Sequence, residues 1–232
     1  VSPEARAVVF DLDDTLYPFR RFLRSGFAAA AWHLSRLTGA DRRHAFRLLV
    51  SAARRGARGI EVQTCLAALG LPARHTGELV RVIQNHHPRL RLPRSSARAV
   101  ACLRAGGWRL GILTNGPRAL QLRKISALGL AGAVDAVVFA TEHGHGGGKP
   151  DPAPFAAIAR ELGVRPQRTV VVGDDEVCDV TGALGAGMIP IRCTAWARGL
   201  PGTAAPAAAS RIDAVPSIVA ALMREKGAQH AA

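Results

Sequence analysis

Five short apolar runs recur along the chain, and stretches of helical periodicity separate them. The runs are Val8-Val9-Phe10, Leu110-Gly111-Ile112-Leu113, Val137-Val138-Phe139, Thr169-Val170-Val171-Val172 and Ile189-Pro190-Ile191. Helical stretches are expected at 97–104, 120–128, 153–162 and 181–186. Continuous, largely β-branched runs that alternate with helices predict a parallel sheet covered on both faces, joined by right-handed crossovers. Residues 17–92 break the pattern. Apolar residues recur there at three-and-four spacing over 19–37, 45–53, 62–69 and 77–86, and Gly39, Gly56, Gly59, Gly70 and Pro72 punctuate them. The sequence therefore predicts an α/β core made of residues 1–16 and 93–232, with an all-helical domain, 17–92, inserted after the first strand. Phe27, Trp32 and Phe46 are its expected core, and the Ala/Pro-rich stretch 204–209 reads as a surface loop.

Composition narrows the class. At 232 residues and 48% hydrophobic content, the chain can bury the core of one large domain carrying an insertion. Cys65, Cys102, Cys178 and Cys193 are scattered and form no CxxC pair, so neither a zinc knuckle nor a dithiol motif is expected, and no disulfide framework. No basic, apolar leader and no apolar run near the ~20 residues of a membrane span is visible, so a soluble, cytoplasmic protein is expected. The net charge is +14, and Lys124, Lys149 and Lys226 are the only lysines beside 28 arginines. Residues 17–92 hold 14 basic and 3 acidic residues, so the positive field concentrates in the helical insertion and would attract anions.

Ligands of open parallel sheets bind outside the carboxyl ends of the strands. The first strand runs into Asp11-Leu12-Asp13-Asp14 and the second into Thr114-Asn115. The fourth runs into Asp174-Asp175-Glu176, with Asp179 five positions after Asp174. Lys149 follows the third strand, after the glycine-rich stretch 143–148. No Lys or Arg lies between Ala7 and Pro18, or between Thr169 and Ile191. Carboxylates gathered in this way repel one another unless a proton or a cation joins them. A hard cation such as Mg²⁺, which takes a few carboxylates together with waters and a phosphate, answers that repulsion. One carboxylate can serve as a nucleophile and a second can exchange a proton with a leaving group. Thr114 and Lys149 supply a hydroxyl donor and a positive charge for developing oxyanion charge. Alone, a DxD is commonly a turn and a Thr-Asn a helix cap; four such elements in order, each at a strand end, point to one site.

As a set, Asp11-Leu12-Asp13-Asp14-Thr15, Leu113-Thr114-Asn115-Gly116, Lys149-Pro150-Asp151-Pro152 and Gly173-Asp174-Asp175 with Asp179 resemble the four motifs of the haloacid dehalogenase-like (HAD) hydrolase superfamily. The helical insertion is similar to the C1 cap of its phosphatase-like subgroup. The resemblance implies a Rossmann-like core with the first strand central and a helical cap. It implies Asp11 as nucleophile, Asp13 as acid and then base, and Thr114, Asn115 and Lys149 as phosphate-binding groups. It implies Asp11, Asp174 and the main-chain carbonyl of Asp13 as Mg²⁺ ligands. Asp179 would brace Lys149 or orient metal-bound water, whereas Asp14 and Asp175 fall at variable positions. The glycine-rich loop 144–148 is slightly longer than usual for the family. The expected activity is Mg²⁺-dependent hydrolysis of a small phosphorylated metabolite, with nucleoside monophosphates, sugar phosphates and phosphoglycolate as classes. Arg20, Arg21 or Arg24 would meet a second anionic group.

Other readings fare less well. Residues 144–149 lack the first Gly and the final Ser/Thr of a Walker A loop, which here are His143 and Pro150. The histidine pairs His86/His87 and His143/His145 have no evident third ligand. A 2-haloacid dehalogenase would use the same nucleophile but needs neither Mg²⁺ nor a second aspartate, because halide leaves without a proton. A phosphonate-cleaving relative would carry a cap lysine, and residues 17–92 contain none. A non-catalytic protein using its basic insertion on nucleic acid or another polyanion is the remaining alternative, and it lacks an interleaved aromatic platform. Oligomeric state stays open between monomer and homodimer.

Overall fold

The computed structural model describes residues 5–56, 59–144, 147–196 and 203–229; His145 and Gly146 of the glycine-rich loop lie outside them. In chain order, β1 (Ala7–Phe10) precedes four helices, α1 (Arg20–Thr38), α2 (Arg42–Arg54), α3 (Glu61–Ala68) and α4 (Thr76–Asn85). There follow α5 (Arg94–Ala105), β2 (Arg109–Thr114), α6 (Arg118–Ala127), β3 (Ala136–Phe139), α7 (Pro152–Leu162), β4 (Thr169–Gly173), α8 (Gly182–Gly185), β5 (Ile189–Cys193), β6 (Ala207–Ala209) and α9 (Val215–Gln229). A π-helical stretch, Glu176–Thr181, leads into α8. The chain divides into two compact units, Val1–Pro18 with Arg91–Ala232, and Phe19–Leu90.

The first unit holds one parallel sheet in the order β3-β2-β1-β4-β5-β6. Val9 of β1 pairs with Gly111 on one side and Val171 on the other. Every residue of β1 is fully buried, and since strand side chains alternate, both faces of the sheet must be covered. On one face Ala7, Val9, Leu113, Val138 and Val171 pack with Phe155, Ile158 and Leu162 of α7. Away from that cluster, α5 packs against β2 and α9 against α5. This is the Rossmann-like α/β fold that the strand pattern and the resemblance imply. The strand order reverses at β1, and the crevice between the ends of β1 and β4 is where such sheets bind ligands. The Asp11 N–H donates to the Val172 carbonyl at 2.8 Å, so the ladder carries the chain directly to that crevice.

The β-branched runs at 8–10, 110–113, 137–139, 169–172 and 189–191 all lie in strands. The stretch 204–209 differs from expectation: Ala207–Ala209 forms β6, parallel to β5, with Ile191 opposite Ala207. Alanine has little preference for strands, so the run carries no strand signal; pairing with β5 and burial of Ala209 fix it. The helix expected at 181–186 is shorter, because the chain is π-helical through Thr181. Helix α7 begins at Pro152, one residue ahead of the expected 153. Asp151 caps it by accepting the Ala153 N–H at 2.8 Å, and Pro152 occupies its first turn.

In the second unit α1 packs against α2 and α4, and α2 against α3. Phe27, Ala30, Leu34, Leu49, Leu66, Leu79 and Ile83 form its core, with Phe46 half-buried against it. Trp32, expected inside, is 51% exposed, and the Arg36 guanidinium lies 5.4 Å over its ring. The buried stripe of α1 runs through Phe22, Gly26, Phe27, Ala30, Ala31 and Leu34, and position 32 falls off that face. Among the described residues, no helix is long and apolar enough to cross a membrane.

These placements predict opposite outcomes for two aromatic truncations. Phe155→Ala, at a fully buried site, should lower stability by about 3–5 kcal/mol in urea unfolding. Trp32→Ala should change it by no more than about 0.5 kcal/mol.

Candidate active site

Asp11 lies just past the end of β1 and is buried. Its Oδ1 accepts from the Lys149 Nζ at 2.7 Å. The same ammonium donates to the Leu113 carbonyl at 3.1 Å and to the Asp179 Oδ1 at 2.6 Å, so its three donors are all engaged. Burial alone would push the Lys149 ammonium down, but Asp11 and Asp179 outweigh it and hold the pKa above its ordinary range. Burial pushes the Asp11 carboxyl up; Lys149 opposes this, and Asp179 and Asp13 add to it.

The backbone around Lys149 is set by Asn115. The Asn115 Oδ1 accepts the Lys149 N–H at 2.8 Å and its Nδ2 donates to the Lys149 carbonyl at 3.2 Å. Gly148 precedes at φ +74°, and a Cβ there would sit 2.5 Å from the Asn115 Oδ1. Only glycine fits both that conformation and that approach. Gly173 plays a comparable part for Asp179, since any Cβ on it would overlap the Asp179 carboxyl group. The other Asp179 oxygen, Oδ2, accepts the Asp175 N–H at 3.1 Å. Asp175 itself caps the π-helical stretch through the N–H groups of Val177 and Cys178.

Asp11, Asp174 and Asp179 each bring a carboxylate oxygen within 4.8 Å of the others, a group that could hold a metal ion. Asp13 adds no carboxylate oxygen to it; the part implied for Asp13 there is a main-chain one. The Asp174 carboxyl is pushed up to about 7 by burial and by the charges of Asp179, Asp14 and Asp175, while the Thr15 hydroxyl, 3.3 Å from its Oδ1, opposes the shift. Crowded hard oxygen donors with a penalty on ionisation suit a divalent cation.

The Asp13 side chain turns elsewhere. Its Oδ1 accepts from the Tyr17 hydroxyl at 2.5 Å, and its Oδ2 from the Lys124 Nζ at 2.7 Å and the Gln121 Nε2 at 3.3 Å. The Gln121 Nε2 also donates to the Thr114 Oγ1 at 2.9 Å and to the Asn115 carbonyl. The loop between β1 and α1 is pinned from below: Leu12, Leu16 and Tyr17 are fully buried, and the Ser96 hydroxyl donates to the Leu16 carbonyl at 2.6 Å. Asp14 turns the chain at φ +57°, a conformation aspartate tolerates better than most residues.

Asp11, Asp13, Thr114, Asn115, Lys149, Asp174 and Asp179 thus gather into one connected group at the strand ends. The sequence reading missed Tyr17, Gln121 and Lys124. The structure marks two of them in α6, where Gln121 and Lys124 are each 2% exposed while Leu122 is 46% exposed. That helix turns polar residues inward and an apolar one outward.

The Asp174 shift carries a sign. A carboxyl whose pKa rises on folding stabilises the fold fully below its ordinary 3.8 and loses that contribution as pH rises through about 7. A divalent cation offsets the cost of a buried carboxylate crowded by other negative charges, so Mg²⁺ should raise the Tm more near pH 8 than near pH 5. At about a hundredfold excess over its Kd, bound cation stabilises by roughly 2.7 kcal/mol. A Tm shift equal at both pH values, or absent, would contradict the cation site.

Comparison with known proteins agrees with this arrangement. A family model described as haloacid dehalogenase-like hydrolase matches residues 5–187. The glyceraldehyde 3-phosphate phosphatase of Methanopyrus kandleri is 31% identical over 219 residues, which span 81% of this chain and 83% of that protein. The ribulose-1,5-bisphosphate 5-phosphatase of Halopiger xanaduensis is 31% identical over 207 residues, spanning 79% and 82%. Among solved structures, a 2-haloacid dehalogenase from Pseudomonas syringae pv. tomato superposes with a TM-score of 0.64 at 24% identity, covering 94% of this chain and 99% of that one, a likeness of fold alone. With the strand order, the four motifs and the family match in agreement, the chain belongs to the haloacid dehalogenase-like hydrolases.

Proposed function

We propose that this protein is a Mg²⁺-dependent phosphomonoesterase that hydrolyses a small phosphorylated metabolite through an aspartyl-phosphate intermediate. The observation that carries the reading is the second carboxylate. Asp13 stands two residues from Asp11, and Gln121 joins it to the Thr114 hydroxyl. An alkoxide leaving group needs a proton and a halide does not, so a tethered second aspartate favours ester cleavage over dehalogenation.

In this reading an Asp11 carboxylate oxygen attacks phosphorus, the bond from phosphorus to the ester oxygen breaks, and the Asp13 proton goes to the leaving oxygen to give an alcohol. Asp13 then takes a proton from water as the water oxygen attacks phosphorus. The acyl-phosphate bond breaks, releasing inorganic phosphate and restoring Asp11. The Thr114 hydroxyl, the Asn115 main chain and Lys149 hold the phosphoryl oxygens, Lys149 exchanging one of its three present partners for phosphate while Asp179 keeps it in place. Asp11, Asp174 and the Asp13 carbonyl would hold Mg²⁺, which when bound offsets the charge shared by the carboxylates and the phosphoryl group.

The two relatives named above act on phosphorylated sugars, which favours that class over nucleoside monophosphates here. Within the helical unit, taken as the C1-type cap, a cavity of about 630 Å³ is lined by Arg21, Arg24, Arg89, His86 and His87 together with Phe46 and small residues. Basic lining of this kind would attract an anionic group.

The test is phosphate release from a panel of sugar phosphates, bisphosphates, phosphorylated acids and nucleoside monophosphates, with and without Mg²⁺. Turnover should require Mg²⁺ and fall at least about a thousandfold in Asp11→Asn. Activity that survives that substitution would remove Asp11 as the nucleophile.

A further inference from the structure

We infer that Tyr17, Gln121 and Lys124 are positioning residues that aim Asp13 at the leaving group, with Lys124 the principal one; this rests on the phosphomonoesterase reading. Lys124 sits in α6 at 2% exposure, and a buried ammonium is costly unless it is paired. Its Nζ lies 2.7 Å from the Asp13 Oδ2. The fully buried Tyr17 reaches the other oxygen at 2.5 Å. A tyrosine hydroxyl keeps its proton in the neutral range and is a donor to the carboxylate. Donors from two separate elements therefore grip both oxygens of one carboxylate, and its rotamer is fixed.

The grip also sets Asp13 relative to the phosphate-binding motif. Gln121 and Lys124 stand three positions apart on one face of α6, the helix that follows Thr114-Asn115-Gly116-Pro117. Gln121 spends one amide nitrogen on the Thr114 hydroxyl, the Asn115 carbonyl and Asp13 together. A shift of α6 would move the phosphate-binding threonine and the proton donor as one body. Proton transfer needs a heavy-atom separation of about 2.6–3.2 Å, so a loosely held carboxyl group loses rate. Lys124 and Tyr17 stabilise the negative charge that develops on Asp13 as its proton passes to the ester oxygen, so their effect falls on departure of the leaving group.

A merely structural lysine would affect every substrate alike, whereas one acting through Asp13 would affect only those whose leaving group needs a proton. Lys124→Met and Tyr17→Phe are therefore compared with the parent on two esters, the best alkyl phosphate of the panel and p-nitrophenyl phosphate. The comparison uses kcat/KM, which reads only the steps through departure of the leaving group. Lys124→Met should lose about 10- to 100-fold on the alkyl ester and less than about threefold on the aryl ester. In an Asp13→Asn background it should cause no further loss on the alkyl ester. Equal loss on both esters, or a full additional loss beside Asp13→Asn, would overturn the inference. Tyr17→Phe keeps the ring and the packing; it should show the same selective loss to a smaller degree, and it carries the test if Lys124→Met does not fold. A parent that cleaves neither ester would refute the phosphomonoesterase reading itself, and this inference with it.

Discussion

The site depends on one buried ammonium group. Lys149 lies between Asp11 and Asp179 with its third donor on the Leu113 carbonyl, and all of these groups are buried, so water screens them little. Removing one member of a buried ion pair leaves an unpaired charge and costs about 3–5 kcal/mol. The surrounding sequence choices follow from this. Gly148 lets Asn115 clamp both sides of the Lys149 peptide unit, and Gly173 lets Asp179 come close enough to brace the ammonium. The sheet supplies the frame, because β1 and β4 end side by side where the strand order reverses.

A second buried lysine, Lys124, does for Asp13 what Lys149 does for Asp11. The chain has 28 arginines and three lysines, yet the cations on Asp11 and Asp13 are both lysines, while the buried Arg192 pairs with Glu176 at 3.2 Å. An ammonium is a compact charge that fits a crowded strand end, where a planar guanidinium would need a flat partner and more room. What remains after the two lysines is negative charge around Asp174, which is the part of the site suited to a cation.

Much of the fold was legible because its determinants are local. Fully buried parallel strands need unbroken apolar runs, and those runs stand out at Val8-Val9-Phe10 and Thr169-Val170-Val171-Val172. Asp151-Pro152 marks the start of α7 for the same kind of reason. The edge strand β6 was illegible because alanine carries no strand preference, and position, not residue type, makes Ala207–Ala209 a strand. Trp32 was misplaced because aromatic character says less than the phase of the α1 stripe. In the site, the carboxylates were visible as charges without neighbours of opposite sign. Of their neutralising partners, Lys149 was legible through its motif although it lies 138 positions from Asp11, whereas Lys124, 111 positions from Asp13 and outside any motif, was hidden. Only the inverted exposure of α6, polar inward and Leu122 outward, marks the second of these, and it needs a structure to be seen.

The central claim is that Asp11 becomes phosphorylated, and the direct measurement is chemical trapping. The enzyme is mixed with its best phosphomonoester and Mg²⁺, quenched in acid during turnover, and mapped by peptide mass spectrometry with borohydride reduction of the acyl phosphate in a parallel sample. A phosphorylated peptide that contains Asp11 is expected, with the reduced product located at Asp11 itself. Phosphate release with no trapped adduct under conditions that preserve acyl phosphates, or an adduct on any other residue, would contradict it.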